Sequence, residues 1–224
     1  MSKRPGVRVG APVARPHAVW CIGTYDAAHA AESGSALPEV PILFSKTPNT
    51  VLGPNDDNRI PGGSTKTDWE VELPVLIRAA GPLPEIRTLR YTLPDTRCPT
   101  TFPSGNSSWN SRGQWSTGKC CESFNPTGPA LAPADELNAE DLTLRSFVNG
   151  EIRQDSGTAD LTFGIDDLVW YLSQFAVLET VDMVNTGPPE GVGLSGRFPY
   201  LRVGDVVEVE VEGIGKARQA CSDG

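Results

Sequence analysis

Several short stretches of the chain alternate between hydrophobic and polar positions, and a period of two is typical of β-strands. The alternation is clearest in DWEVELPVLI at 68–77 and in VVEVEVEGIG at 206–215. The runs AVWCIG at 18–23 and PILFSK at 41–46 are apolar and have the length of a strand. These patterns predict that strands supply most of the regular structure.

Two other patterns predict a hairpin and helices. Residues 142–154, LTLRSFVNGEIRQ, carry Asn149-Gly150 between two alternating runs, which predicts a hairpin with a type I′ turn. Residues 164–178 have apolar positions at helical spacing, and the alanine-rich stretch 25–33 predicts a short helix. The 20 prolines and 23 glycines favour many turns over long helices. We therefore predict an α+β fold that is mainly β.

The length and charge of the chain restrict what it can be. The 224 residues suit one domain, for which we expect an irregular leader at 1–16, a folded domain at 17–217 and a C-terminal tail at 218–224. The net charge of −9 argues against a broad basic surface for nucleic acid. Apolar runs stay below the roughly 18 residues of a membrane span, so we expect no membrane partner.

Cysteine usage bears on the compartment. The five cysteines are an odd number without a CxxC pair, and the basic start MSKRPGVRVG lacks the apolar core of a secretory signal. We therefore expect free thiols and a cytoplasmic protein. The adjacent Cys120 and Cys121 fit buried thiols better than a zinc or redox site, because further ligands are missing from the pattern.

The strand at 68–77 carries an unusual acidic face. In a strand, Asp68, Glu70 and Glu72 point to the same side, with successive members about 7 Å apart. Such carboxylates repel one another, and one pKa should rise unless a cation lies between them. Oxygen ligands of this kind suit Mg²⁺, Mn²⁺ or Ca²⁺. The alternative is a solvated acidic face, which is how we interpret the similar pattern VVEVEVE at 206–212.

A second candidate pair lies on the predicted short helix. His29 and Glu32 are three residues apart, so they share a face of the helix and can interact. A carboxylate that orients a histidine makes it a suitable general base near neutral pH. The alternative is an ordinary contact on the surface of a helix.

Several blocks of sequence occur together in a characteristic order between about residue 7 and residue 217. They are CIG…HAAE, GSTKTDWEVEL, GQWSTGK, NPTGPALAPADEL, VNGEIRQ, LVWYLSQF, NTGPPEGVG and YLRVGDVVEVEVEGIG. In these blocks the chain resembles the fumarylacetoacetate hydrolase family, and most of all its bacterial-type members that act on acylpyruvates and related 2,4-dioxo acids. The resemblance implies mixed β-sheets rolled into a barrel-like core with short outer helices, a homodimer, and a bound Mg²⁺ or Mn²⁺.

The resemblance also implies roles for individual residues. Glu70 and Glu72 would hold the metal together with a later aspartate, for which Asp95 is the nearest candidate. Lys119 would stabilise the negative charge of an enolate. On residues alone, Lys119 would be read as a solvated loop charge.

The remaining implied roles concern water and substrate. His29 and Glu32 match the pair that activates water, and Thr186 and Gly187 match a turn that binds the substrate carboxylate. On residues alone, the latter are a plain Gly/Pro turn. Two basic residues match substrate-contacting positions, Lys46 and Arg97.

Three departures from the family pattern stand out. The stretch 90–112 differs from the usual sequence, so Asp95 and Arg97 align only with a gap. Pro188 replaces a threonine in the substrate turn and removes a backbone N–H. Ahead of His29, the usual asparagine is absent and Tyr25 is displaced by one position.

The resemblance implies a divalent-metal-dependent hydrolase that cleaves a C–C bond in an acylpyruvate or related 2,4-dioxo acid. The products would be a 2-oxo acid and a carboxylic acid. One alternative uses the same enolate for decarboxylation of an oxaloacetate-like acid or isomerisation of a 2-hydroxy-diene dioic acid. Retention of His29 and Glu32 favours hydrolysis, because a decarboxylase needs no attacking water. The other alternative is a catalytically impaired homologue that acts as a dimeric binding protein.

Overall fold

The computed structural model describes residues 7–23, 27–32, 34, 36–79, 87–91, 93–95 and 115–224, with the backbone alone described at 27, 79, 87–91 and 93–95. Strands dominate this part of the chain. They are β1 Val19–Gly23, β2 Ile42–Lys46, β3 Val51–Leu52, β4 Asn58–Ile60, β5 Glu70–Glu72, β6 Pro74–Ala79, β7 Arg87–Tyr91, β8 Leu93–Asp95, β9 Asn125–Pro126, β10 Leu131–Pro133, β11 Thr143–Val148, β12 Glu151–Gly157, β13 Met183–Asn185, β14 Val206–Val211 and β15 Gly215–Asp223. The α-helices are α1 Ala27–Glu32, α2 Trp115–Lys119 and α3 Ile165–Ser173.

Two large sheets form the framework. One has the order β10-β7-β6-β13-β1-β2, in which β1 and β13 run parallel and the other neighbours run antiparallel. The other has the order β12-β11-β14-β15-β4, in which only the β15–β4 pair is parallel. The predicted fold class, α+β and mainly β, is confirmed. Within the described ranges these sheets are open and do not close into a complete barrel.

The stretch 68–77, predicted as one strand, forms two. Residues 70–72 form β5, which pairs with β8, whereas residues 74–79 form β6 between β13 and β7. Pro74 begins β6, and the first position of a strand tolerates a residue without an N–H. Because β5 also lies against β11 and leads directly into β6, the acidic segment sits where the two large sheets meet.

The predictions from local patterns are confirmed with adjusted limits. Asn149 and Gly150 have φ of 53° and 80° and connect β11 to β12, as a type I′ turn requires. The predicted helix at 164–178 is α3, which ends at Ser173. Its apolar face is buried, whereas Phe175 and Val177 beyond its end are exposed.

The two chain ends differ from each other. The described residues 7–16 contain no helix or strand, and Arg8 Nε donates to Asp56 Oδ1 at 2.6 Å. The predicted end of the folded domain at residue 217 needs correction, because residues 218–223 continue β15 rather than forming a C-terminal tail. Gln219 and Cys221 are buried there, so the alternating burial of β15 persists almost to its end.

The core fills the space around the junction of the two sheets. Its largest fully buried apolar side chains come from both sheets, from the residues on either side of β5 and from α3, and include Trp69, Leu73, Ile77, Leu144, Leu168 and Leu172. In the described ranges no helix has the length and apolar character needed to cross a membrane.

Candidate active site

The acidic face of β5 is buried. Glu70 and Glu72 are 0% and 1% exposed, and the core residues Trp69 and Val71 bury the opposite face. A solvated acidic face is therefore excluded for β5. On β14, by contrast, Glu210 is part-exposed and forms a surface ion pair with Lys216, as the solvated interpretation predicts.

Each buried glutamate has a named partner. Lys119 Nζ donates to Glu70 Oε2 at 2.9 Å, and the backbone N–H of Gly187 donates to Glu72 Oε2 at 2.8 Å. Burial raises the pKa of Glu72, while the charges of Lys119 and Lys46 and the Gly187 N–H act in the opposite direction. These contacts offset part of the cost of keeping carboxylates away from water.

Helix α2 places Lys119 beside Glu70. Ser116 Oγ donates to the Ser45 carbonyl oxygen at 2.6 Å, and the Trp115 ring meets Phe44 edge-on at 5.6 Å between centroids. The Trp115 ring also packs on Gly23, where any Cβ would overlap it. Lys119 is 4% exposed, with Nζ 4.9 Å from the centre of the Phe44 ring, so it is not a solvated loop charge.

Asp95 lies opposite Glu70 in the β5–β8 pair. Residues directly opposite each other in antiparallel strands share a face of the sheet, so this register places position 95 on the side of the glutamates. The Asp95 side chain and the whole of Arg97 lie outside the described residues, as does Tyr25. Among the described side chains, no group of three His, Cys, Asp or Glu residues is arranged to hold a metal ion.

His29 and Glu32 lie together on the inner side of α1. His29 is 3% exposed, and its Nδ1 is 3.9 Å from Glu32 Oε2, which is an ion-pair distance rather than a hydrogen bond. Glu32 Oε2 accepts a hydrogen bond from the backbone N–H of Gly191 at 2.9 Å. The pair is therefore part of the interior and not an ordinary contact on a helix surface.

The segment 186–193, which we call the glycine loop, connects these groups. Three of its backbone N–H groups donate to carboxylates, in the pairs Gly187 to Glu72, Gly191 to Glu32 and Gly193 to Asp68. One short segment thus contacts the acid of the His29–Glu32 pair and one member of the Glu70–Glu72 pair.

Two groups expected to bind substrate are engaged with β5 and the residue after it. Thr186 Oγ1 donates to the Leu73 carbonyl oxygen at 2.9 Å, and the Gly187 N–H is the donor to Glu72 described above. Lys46 is also buried, and its Nζ donates to the Phe124 carbonyl oxygen at 2.8 Å. In this arrangement Thr186 and Gly187 are bonded to the acidic segment, and Lys46 is bonded to the residue before β9.

Two polar residues near the site had no assigned role. Asp68 was expected on the acidic face, and its Oδ1 accepts hydrogen bonds from the N–H groups of Trp69 and Gly193, both at 2.7 Å. Gln154, in the VNGEIRQ block, is 2% exposed and bonds to both β5 and the glycine loop. The sequence showed only that a glutamine ends the block VNGEIRQ, and this does not by itself indicate that the side chain is buried.

Two open clefts lie elsewhere on the surface. One, of about 680 Å³, is lined by charged and polar side chains that include Arg8, Asp57 and Arg59. The other, of about 560 Å³, lies along β11 and the β14–β15 turn. Neither cleft is lined by Glu70 or Glu72. The size of a cleft therefore does not locate the candidate active site, whereas the buried charged residues do.

Comparisons with known proteins identify the family of the chain. Residues 18–88 and 106–221 match the family model described as fumarylacetoacetate (FAA) hydrolase, C-terminal. The gap between the two matched ranges, 89–105, overlaps the stretch 90–112 that departs from the family pattern.

Individual relatives are similar over most of the chain. An oxaloacetate tautomerase, Fahd2a, of Rattus norvegicus mitochondria is 36% identical over 92% of this chain, which spans 66% of the rat protein. A solved 5-carboxymethyl-2-hydroxymuconate delta-isomerase from Mycobacterium smegmatis is 30% identical with a TM-score of 0.79, covering 97% of this chain and 82% of its own. A solved fumarylacetoacetate hydrolase from Exiguobacterium antarcticum is 28% identical with a TM-score of 0.80, covering 97% and 79%. The chain belongs to the fumarylacetoacetate hydrolase family.

Proposed function

We propose that this protein is a divalent-metal-dependent hydrolase that cleaves a C–C bond in an acylpyruvate or related 2,4-dioxo acid. The products are a 2-oxo acid and a carboxylic acid. The observation that carries the proposal is the glycine loop, which contacts both the buried acidic pair on β5 and the buried His29–Glu32 pair. A hydrolase of this kind needs both groups within one site.

The residues on β5 fit a divalent cation. Glu70 and Glu72 offer oxygen donors from one strand, and the register brings Asp95 to the same face. Lys119 and Lys46 are the positive charges that act on these carboxylates, and a divalent cation between the two glutamates would further favour their ionised forms. Oxygen donors of this type suit Mg²⁺ or Mn²⁺, with Ca²⁺ as a further fit. When bound, the cation would supply Lewis-acid polarisation of the keto group of the substrate.

Lys119 provides a fixed positive charge close to the acidic pair. When the C–C bond breaks, negative charge develops on the oxygen of the departing enolate, and a nearby ammonium stabilises it. Burial strengthens this effect because the charge is only weakly screened by water. The contacts of α2 with β2 hold the lysine, so little reorganisation is needed during the reaction.

His29 is the proposed base. Its Nδ1 faces Glu32, which leaves Nε2 as the atom that takes a proton from the attacking water. Glu32 is held by the Gly191 N–H and stabilises the imidazolium that forms. The same proton can then return to the carbon of the enolate, so that proton transfers balance over the reaction.

Other reactions use the enolate without the water. Relatives named as an oxaloacetate tautomerase and a hydroxymuconate isomerase support a tautomerase, isomerase or decarboxylase as the second candidate. A catalytically impaired, dimeric binding protein is the third candidate, and the interruption of the family match between residues 88 and 106 supports it. In each case the proposed ligand is a small anionic 2-oxo acid and the proposed assembly a cytoplasmic homodimer.

The test compares reactions on one purified sample. The protein is incubated with Mg²⁺ or Mn²⁺ and with acylpyruvates, fumarylpyruvate-type acids and oxaloacetate, and each product is quantified. Release of pyruvate and the matching carboxylic acid supports hydrolysis. Enol–keto conversion or CO₂ release without C–C hydrolysis supports the second candidate. Absence of Mn²⁺ binding at millimolar concentration contradicts both enzymes and supports the impaired homologue.

A further inference from the structure

Gln154 is unusual for its position in the fold. It lies on β12, an outer strand of the five-stranded sheet, and it is the one buried residue of that strand. The register of β11 against β12 shifts between Ser146 and Phe147, which leaves Arg153 as an extra residue just before Gln154. Such bulges change the direction of a side chain and are frequent next to active sites.

The side-chain amide of Gln154 joins the acidic strand to the glycine loop. Its Oε1 accepts the backbone N–H of Val71 at 3.0 Å, and its Nε2 donates to the carbonyl oxygen of Pro189 at 2.9 Å. Val71 lies between Glu70 and Glu72, and Pro189 lies between Gly187 and Gly191. The amide therefore satisfies one backbone N–H of β5 and one backbone carbonyl of the glycine loop.

The two hydrogen bonds of the Gln154 amide form a bridge between Val71 and Pro189, and this bridge holds a short strand. Strand β5 has three residues and, among the strands that the structure describes, pairs only with β8. The Val71 N–H donates its hydrogen bond to a side chain, that of Gln154. Loss of Gln154 would leave the buried Val71 N–H without this acceptor, which destabilises the present position of the strand. The positions of both glutamates follow that of the Val71 backbone.

We propose that Gln154 is a positioning residue that sets the geometry of the Glu70–Glu72 pair relative to the glycine loop. It acts through the Val71 N–H and the Pro189 carbonyl, and it does not touch the reacting atoms. The inference rests on the proposed function, because that function assigns a metal ion to Glu70 and Glu72. Its structural part, the tether between β5 and the loop, can be measured without metal.

Ser146 supplies a matched control. Its Oγ donates to the same Gln154 Oε1 at 2.8 Å, and it is fully buried, but it contacts neither β5 nor the glycine loop through that bond. Ser146→Ala therefore removes a buried hydrogen bond of the same oxygen and leaves the bridge in place. Gln154→Met removes the bridge and keeps the length of the side chain.

The experiment measures amide exchange in the metal-free protein and Mn²⁺ affinity by electron paramagnetic resonance, both well below the unfolding temperature. We expect Gln154→Met to weaken Mn²⁺ binding about tenfold, as loss of an outer partner of a metal site does. The same variant should speed exchange at Val71 and Gly187 by at least about tenfold relative to its own core amides. Ser146→Ala should change each quantity less than about twofold.

Unchanged exchange and unchanged Mn²⁺ affinity in Gln154→Met would overturn the inference, as would equal changes in both variants. If Gln154→Met does not fold, Gln154→Glu replaces it. When ionised, its carboxylate still accepts from Val71 but cannot donate to Pro189, so at a pH above the pKa of this carboxyl group exchange should rise in the loop and stay slow at Val71. If the wild-type protein binds no Mn²⁺, the proposed function fails, and the exchange measurement alone decides the role of Gln154.

Discussion

The backbone N–H of Gly191 donates a hydrogen bond to the carboxylate of Glu32, although 159 positions separate the two residues in the chain. Four residues earlier in the same loop, Gly187 donates to Glu72. The acid of the proposed water-activating pair and a proposed metal ligand therefore depend on one segment of backbone. Changes in that segment should affect both.

Replacing Gly191 tests how tightly this segment is packed. Its φ is +91°, and a Cβ there would overlap the carbonyl oxygen of Arg153, so Gly191→Ala carries both backbone strain and a steric clash. We expect it to lower the free energy of unfolding by about 2–5 kcal/mol, from about 1–2 for the left-handed backbone and about 1–3 for the clash. Urea unfolding measures this loss.

Gly196→Ala is the matched control for Gly191→Ala. Gly196 also has a positive φ, of +71°, but a Cβ there meets nothing within 4 Å. It should lose only the backbone contribution of about 1–2 kcal/mol. Equal losses in the two variants would contradict the packing shown around Gly191.

Glu72→Gln tests the proposed metal site. The amide keeps the size of the side chain but removes a charge and one strong oxygen donor, so we expect Mn²⁺ affinity and turnover to fall by more than about 100-fold. Calorimetric titration and initial rates measure the two effects. Glu210→Gln, on the similar but part-exposed strand β14, removes a surface ion pair and should change neither by more than about twofold. Full Mn²⁺ affinity in Glu72→Gln would contradict the assignment.

His29→Ala separates the candidate reactions. Removing a general base should lower C–C hydrolysis by about 10²–10⁴-fold, because the attacking water loses its proton acceptor. Decarboxylation of oxaloacetate needs no attacking water, so its rate should fall less than that of hydrolysis. His17→Ala is the control, since His17 is an exposed residue beside Glu179. Unchanged hydrolysis in His29→Ala would exclude the water-activating role.

The buried thiols predict a pattern of chemical labelling. Burial raises the pKa of Cys21 and of Cys221 to about 12, whereas Cys120 and Cys121 are half-buried. At pH 8 a thiol with a pKa of about 12 is ionised to roughly one part in 10⁴, and the thiolate is the reactive form.

Iodoacetamide at pH 8 should therefore label Cys120 and Cys121 in the native protein. Cys21 and Cys221 should react only in guanidinium or well above pH 10, where their thiolates accumulate. Peptide mass spectrometry follows each site. Labelling of Cys21 in the native protein as fast as Cys120 would show that its surroundings open to solvent.

The local patterns predicted much of the secondary structure. The Asn149-Gly150 hairpin and the helix at 165–173 follow from residue type and spacing within a few positions, which act at short range. The ordered blocks also identified the family. The division of 68–77 into two strands was not predicted, because it depends on which partners lie beside Glu70–Glu72 and Pro74–Ala79.

At the candidate site, some features follow from the local sequence and others follow only from the tertiary structure. The residue types and their alternation by themselves determined that Glu70 and Glu72 share one face of a strand, and they determined the same for Glu208 and Glu210. Only the folded chain decided that the first pair is buried beside Lys119 while the second faces solvent. The physical reason is that burial and charge partners are contributed by segments distant in sequence, so identical local patterns acquire different surroundings and different chemistry.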